Sequence, residues 1–265
     1  MRFRNPLWGG LAVLLLGNLT AMLLAFGSVA RAETAQNAPV SAEVAEALGR
    51  MNKTLQADKF SFQANTLRVY AGSNGELLHI GHKIEIAVHR PDRLLVNAAG
   101  DDGSSKMFYD GKNLAVYGVD QKQYVLIPTT GEIEEMVDTA ESRFGLDMPL
   151  ADFVSSDPQK TFLAGLTSGG QVGTSTIDGI RCRHLFFTQT PDLEMELWLE
   201  DNERSLPRRL IVTYESLPGR PRFIAELSNW EFSGLPDTAF VFQPPPGVKQ
   251  VELAAGSSSP PPATK

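Results

Sequence analysis

The sequence predicts a mainly β protein of the α+β class, an antiparallel sheet preceded by one helix and interrupted by a helical insertion. Three observations carry this reading. Apolar and polar residues alternate with a period of two over most of the chain after Phe60, as in "IGHKIEIAV". Short turn signals rich in Gly, Asn and Asp separate these runs, and strands joined so briefly are antiparallel neighbours. In two places only, after Ser41 and between Thr129 and Leu166, the apolar spacing shifts to that of a helix.

The first 32 residues stand apart from this pattern. Arg2 and Arg4 precede an uncharged run from Asn5 to Ala30, which ends in Ala30-Arg31-Ala32. A basic start, an apolar middle and a small-x-small end are the parts of a secretory signal peptide. The run also reaches the roughly 20 residues that span a bilayer, so an uncleaved anchor is the rival reading. Gly9, Gly10, Gly17, Asn18 and Thr20 dilute it, which favours cleavage after Ala32 and a periplasmic chain. Cleavage removes three arginines and no acid, leaving 233 residues with 21 basic and 31 acidic side chains, a net charge of −10. Such a chain repels phosphate backbones, which excludes nucleic acid as an expected partner. Cys182 is the only cysteine, so no internal disulfide holds the exported fold, and in "IRCRHLFF" it reads as a small buried hydrophobe.

The elements follow in order. Val44, Leu48, Met51 and Leu55 draw one apolar stripe down a helix that Ser41 is placed to cap. Phe60 to Tyr70 reads as a strand, and Asn74-Gly75 supplies the positive φ angles of a tight turn. Ile80, His82, Ile84, Ile86 and Val88 alternate with Gly81, Lys83, Glu85, Ala87 and His89 as a half-buried strand closed by Arg90-Pro91-Asp92. Leu94 to Ala98, Met107 to Tyr109, Leu114 to Val119 and Gln123 to Ile127 complete a meander. Thr129 and Glu132 have capping-box spacing ahead of a helix with Ile133, Met136, Val137, Ala140 and Phe144 on one face. "GLDMPLADF" follows, and Asp157-Pro158 then opens a short helix carrying Phe162, Leu163 and Leu166. This insertion is more apolar than a surface connection needs to be. Strands resume at Gln171 to Ser175, Ile180 to Thr188, Glu194 to Glu200, Arg208 to Glu215 and Phe223 to Phe232. Residues 33–254 are expected to form one domain. The Ser- and Pro-rich stretch 255–265 reads as a disordered tail.

Catalytic and metal constellations are hard to find. His79 and His82 have a ligand-like spacing, yet on a strand three residues apart means opposite faces. Glu194, Glu196 and Glu200 share a strand face, where Arg208 and Arg209 beyond the Asp201-Asn202 turn are expected to pair with them across strands. The other face carries Leu193, Met195, Leu197 and Leu199. His184 reads as structural. No nucleophile elbow, zinc-protease motif or phosphate loop occurs, so the expectation is no enzyme, no metal and no cofactor.

Arg90-Pro91-Asp92-Arg93-Leu94, Tyr109-Asp110-Gly111-Lys112, Val116-Tyr117 and Gln123-Tyr124, in that order, resemble the periplasmic lipoprotein-carrier superfamily of the LolA and LolB proteins. Trp198-Leu199 before Leu206-Pro207-Arg208-Arg209-Leu210, and Trp230 before Phe240 to Pro245, resemble an uncharacterised predicted-periplasmic branch of it. The resemblance spans Ser41 to Leu253. It implies a strongly curved sheet, an unclosed barrel whose concave side is covered by the N-terminal helix and the insertion, with a cavity for acyl chains between them. Two departures stand out. LolA carriers have an Arg-Trp pair where this chain has Leu95-Val96, and LolB proteins a lipid-modified cysteine that is absent here.

On this reading the chain is a non-enzymatic, monomeric carrier or sensor for a lipid or the acyl chains of a lipoprotein. Met136, Phe144, Leu146, Met148, Leu150 and Phe153 are expected to form the cover. Ile84, Ile86 and Val88 (or their opposite-face neighbours), Leu197 and Leu199 are expected to line the sheet. The same residues can also fill a closed core, which leaves an envelope-stress or protein-interaction module with a membrane-bound partner as the alternative. The acidic run Glu132, Glu134, Glu135 and Asp138 motivates that alternative.

Overall fold

A computed structural model describes residues 40–146, 148–190 and 192–252. The expected signal segment and cleavage site and the Ser/Pro-rich stretch 255–265 lie outside the described residues. The described residues begin with α1 (Ala42–Leu55), whose N-cap Ser41 accepts from the Val44 amide as its position in the sequence predicts. A meander follows: β1 (Lys59–Ala71), β2 (Leu77–His89), β3 (Arg93–Gly100), β4 (Gly103–Tyr109), β5 (Asn113–Gly118) and β6 (Gln123–Pro128). The insertion holds α2 (Ile133–Phe144), α3 (Ala151–Val154) and α4 (Pro158–Leu163). The second run is β7 (Leu166–Ile177), β8 (Ile180–Gln189), β9 (Leu193–Glu200), β10 (Pro207–Tyr214) and β11 (Arg222–Glu231), with a short β12 (Lys249–Gln250) near the end.

All twelve strands form one sheet in the order β12-β6-β5-β4-β3-β2-β1-β11-β10-β9-β8-β7. The two runs are therefore sewn together by β1 and β11, which pair antiparallel from Ser61–Glu231 to Val69–Arg222. Only β12 runs parallel to its neighbour. The outermost strands β12 and β7 do not meet, so the barrel is unclosed. It is nonetheless bent enough that Ile127 of β6 and Leu185 of β8 share one core with the helices. Register shifts in the β1–β11, β9–β10 and β7–β8 pairs mark bulges, which sharpen bend and twist.

The concave face is graded along the strands. Its first row, Phe60, Val88, Leu94, Tyr109, Leu114 and Ile127, is set by successive cross-strand pairs and fully buried under the helices. α1 packs Val44, Leu48, Met51 and Leu55 into the same core, and α2 adds Ile133, Met136 and Ala140.

Arg90 braces this arrangement at the end of β2. Its guanidinium donates to the carbonyls of Leu55, Val154 and Ser155 at 3.0, 2.9 and 2.6 Å, tying the last turn of α1 to the end of α3. It also lies 5.7 Å from the Phe60 ring centre. Burial pulls its pKa below the usual arginine value, with Glu134, Asp58 and Glu132 opposing.

Three details differ from the sequence expectation. The capping box is made by Glu132 and Glu135 rather than Thr129 and Glu132. The Thr129 hydroxyl instead donates to the Ile127 carbonyl at 3.3 Å. Leu166 opens β7 rather than extending α4, because Gly165 at φ 72° turns the chain out of the helix. Finally, the Glu-Arg face of β9 and β10 is paired only in part as expected: Arg208 forms the cross-strand ion pair with Glu200 at 3.8 Å. The bulge at Pro207–Arg209 sets Arg209 opposite Trp198, and Arg209 bonds Glu226 at 2.6 Å instead. Glu196 goes to His184 at 2.8 Å, and Glu194 to Arg220 at 3.4 Å.

Candidate functional site

The second and third rows of the concave face create the site. The second is Phe62, Ile86, Val96, Met107, Val116 and Val125; the third is Ala64, Ile84, Ala98, Ser105 and Gly118. Four of the five side chains in the third row have at most two heavy atoms, so the sheet surface falls away beneath the cover. The segment Met148–Val154 spans that hollow without filling it. A cavity of about 200 Å³ remains. Its floor includes Ile84, Ile86, Leu94, Val96, Ala98, Ser105, Met107 and Val116, and its roof is Met148, Pro149, Leu150, Ala151 and Val154. Phe223 of β11 closes one side.

The volume decides what can enter. An apolar cavity of about 150 Å³ is enough to take a benzene-sized guest, whereas whole drug-sized ligands occupy roughly 300–1,000 Å³. The chamber therefore has room for a small apolar group and not for a whole drug-sized molecule.

The cover is placed by its own local chemistry. α2 ends at Gly145, whose φ of 66° lets its amide donate to the Glu141 carbonyl at 3.1 Å in an αL cap, while the Leu146 amide donates to the Ala140 carbonyl at 3.1 Å. The chain then reverses into Met148, and the Ala151 amide returns to the Met148 carbonyl at 2.9 Å. Asp157 caps α4 through the Lys160 amide at 3.0 Å, as its sequence predicts. Gln189 donates to the carbonyls of Phe162 and Ala164 at 3.0 and 2.9 Å, fastening α4 to β8.

Ile84, Ile86, Met148 and Leu150 of the sequence-based candidates come together on this chamber. Val88, Met136, Phe153, Leu197 and Leu199 sit in the closed core with essentially no exposure. Phe144 and Leu146 are half-buried against that core. The row rule explains the split: Val88 belongs to the first, filled row. Sequence reasoning missed Val96, Ala98 and Met107, and a polar end made by Thr66, Arg68 and His82. Ala64, Thr66 and Arg68 follow Phe60 and Phe62 at a period of two, and that spacing was the available signal.

His82 and His79 diverge as the strand geometry requires. His82 faces inward over Gly100, where an added Cβ would lie 2.5 Å from the ring, and its Nε2 is 2.5 Å from the Asp102 carboxylate. His184 stacks on Trp198 at 4.0 Å on the outer face. Among the described residues, no three His, Cys, Asp or Glu side chains are grouped to hold a metal ion.

An unclosed half-barrel with an apolar chamber under a helical cover is the architecture that the resemblance to the LolA/LolB superfamily implies. The chain belongs to the family described as "Predicted periplasmic protein (DUF2092)", whose model matches residues 44–254. No curated protein matches it. Among solved structures it is similar to an uncharacterized conserved protein of Thermus thermophilus, at 12% identity and a TM-score of 0.46, over 79% of this chain and 98% of that one. It is also similar to a LolA superfamily protein of Nitrosomonas europaea (12%, TM-score 0.41, 74% and 96%). A third is the lipoprotein LppX of Mycobacterium tuberculosis (16%, TM-score 0.42, 72% and 96%).

Proposed function

We propose that this protein is a non-enzymatic periplasmic binding protein that takes an acyl chain of a lipid or lipoprotein between its sheet and the Met148–Val154 cover, as a carrier or sensor. The observation that carries the reading is the chamber itself, apolar on floor and roof and left open by the small third row. Each buried CH₂ contributes about 0.8 kcal/mol, so about ten buried methylenes correspond to micromolar affinity before the entropic cost of association. Native mass spectrometry of the exported protein, followed by organic extraction, tests it. The expected result is one lipid per chain in the natural protein and none in Ala98→Phe, which fills the hollow. A wild-type chain that is folded and lipid-free, and stays so with added lipid, sinks the reading.

A second reading, a protein-interaction module, is favoured by one other feature. On the outer side of the cover, Glu134, Asp138, Glu141 and Asp157 line a groove of about 410 Å³ in which Lys160 is the one basic side chain among the described residues. A stoichiometric partner recovered from an envelope fraction, and lost on Glu134→Lys with Asp138→Lys, would favour this module over the carrier.

A further inference from the structure

We infer that the chamber measures a single alkyl chain from its methyl end and does not read the group attached to the other end, with Ala98 and Leu94 fixing how many carbons enter. The inference deepens the acyl-chain reading and rests on it. An apolar cavity of about 150 Å³ holds a six-carbon ring, so the 200 Å³ of this chamber holds about eight carbons. One chain end fills it, and a second has no place. The blind side and the open side are distinct. Leu94, in the filled first row, is 1% exposed and stands at the back of the chamber, so a chain entering beneath the cover stops there. Along the same strands the following rows come into the open: Ala98 is half-buried, and Gly100 and Ser105 are exposed. The rest of the ligand therefore leaves past Ala98 and Ser105.

The polar end of the lining is engaged with the protein's own groups. The Thr66 hydroxyl donates to the His82 carbonyl at 3.4 Å, the His82 ring lies 2.5 Å from the Asp102 carboxylate, and Arg68 packs on the Phe223 ring. What remains to recognise a ligand is apolar surface and its extent. That extent is set by a roof with a fixed shape. Pro149 has its φ locked by its ring, and the Ala151 amide holds the Met148 carbonyl at 2.9 Å. Phe153 anchors the far end, with no exposure and its ring 5.2 Å from that of Phe162. In such a pocket each methylene that fits adds its share of burial, and the first that does not adds little. Side-chain carbons and ligand carbons also compete for one volume, so a carbon removed from the wall admits another from the ligand.

The test is isothermal titration calorimetry of the full exported protein, stripped of lipid, with the straight-chain carboxylates from hexanoate to tetradecanoate, along which the common carboxylate cancels. Wild-type affinity is expected to rise about fourfold per carbon up to about nonanoate and to flatten beyond it. Ala98→Val and Ala98→Leu should bring that break forward by about two and about three carbons, and Leu94→Ala should delay it by about three. Val96→Ala, half-buried on the same floor, should delay it by about two and serves where Leu94→Ala does not fold; circular dichroism checks each variant. Bound decanoate should be displaced both by dodecanol and by a lauroylated cysteine peptide, because only the chain end enters. Displacement by one of them alone overturns the claim that the attached group is not read, and identifies a free lipid or a lipoprotein as the source. An affinity that climbs without a break to tetradecanoate, or a break that every folded variant leaves in place, overturns the length reading alone. Binding of no carboxylate by folded wild type removes the acyl-chain reading and this one with it.

Discussion

The Tyr109 hydroxyl donates to the Gly131 carbonyl at 2.6 Å from a position with no solvent exposure. Burial, reinforced by the carboxylates of Asp92, Glu135 and Asp110, pushes its pKa up to about 12. The unfolded chain ionises tyrosine near pH 10, so the folded pKa is the higher one. The stability it contributes is full below about pH 10 and is lost as pH rises through about 12. Tyr109→Phe should cost about 1–2 kcal/mol at pH 8, and its deficit against wild type should shrink between pH 10 and 12. Urea unfolding at each pH checks this; a deficit that stays constant contradicts the assignment. Arg90→Met makes a second test at this scale. It abandons three carbonyls at the junction of α1, α3 and β2, so about 3 kcal/mol of destabilisation is expected. A midpoint shift corresponding to under 1 kcal/mol would show that water replaces the guanidinium. Neither role was legible beforehand. The residues are visible in their motifs, but their partners Gly131, Val154 and Ser155 are 22, 64 and 65 positions away.

At the scale of elements, local chemistry predicted existence and type well and end points less well. The Ser41 cap, the turn at Asn74-Gly75 and the Asp157-Pro158 start are short-range signals, and each occurs where the residues placed it, although only Gly75 of the turn pair takes a positive φ. The start of α2 moved because two glutamates competed successfully with Thr129 for the capping role. The end of α2 at Gly145 matters more for function, since it aims the chain at Met148. Gly145→Ala places a Cβ in the left-handed region and should cost about 1 kcal/mol. It should also raise hydrogen exchange at Leu146 and Ala151, whose amides hold the reversal. Unchanged protection there would mean that the cover is positioned by packing alone.

At the scale of the whole molecule, a ligand that binds only the folded state raises its stability by mass action. At 100 times the dissociation constant the gain is about 2.7 kcal/mol, and in a domain of this size each kcal/mol moves Tm by about 2–4 °C. Saturating dodecanoate should therefore raise the wild-type Tm by about 5–10 °C and leave Ala98→Phe unmoved. A thermal scan with and without ligand decides it, and equal shifts in both proteins would place the ligand outside the chamber.

The sequence by itself determined the strands, the helices and their order, because period, cap and turn signals act within a few residues of each other. It also pointed to Ile84, Ile86, Met148 and Leu150, inward positions on one strand and apolar positions in the insertion. Only the tertiary structure decided that Val88, Leu197 and Leu199 lie in solid core while Ala98 and Arg68 border a hollow. That distinction depends on cross-strand register: small residues from β1, β3, β4 and β5 make space only when they fall in one row. No single strand records its neighbours' register, so the cavity belongs to the sheet and not to any stretch of the chain.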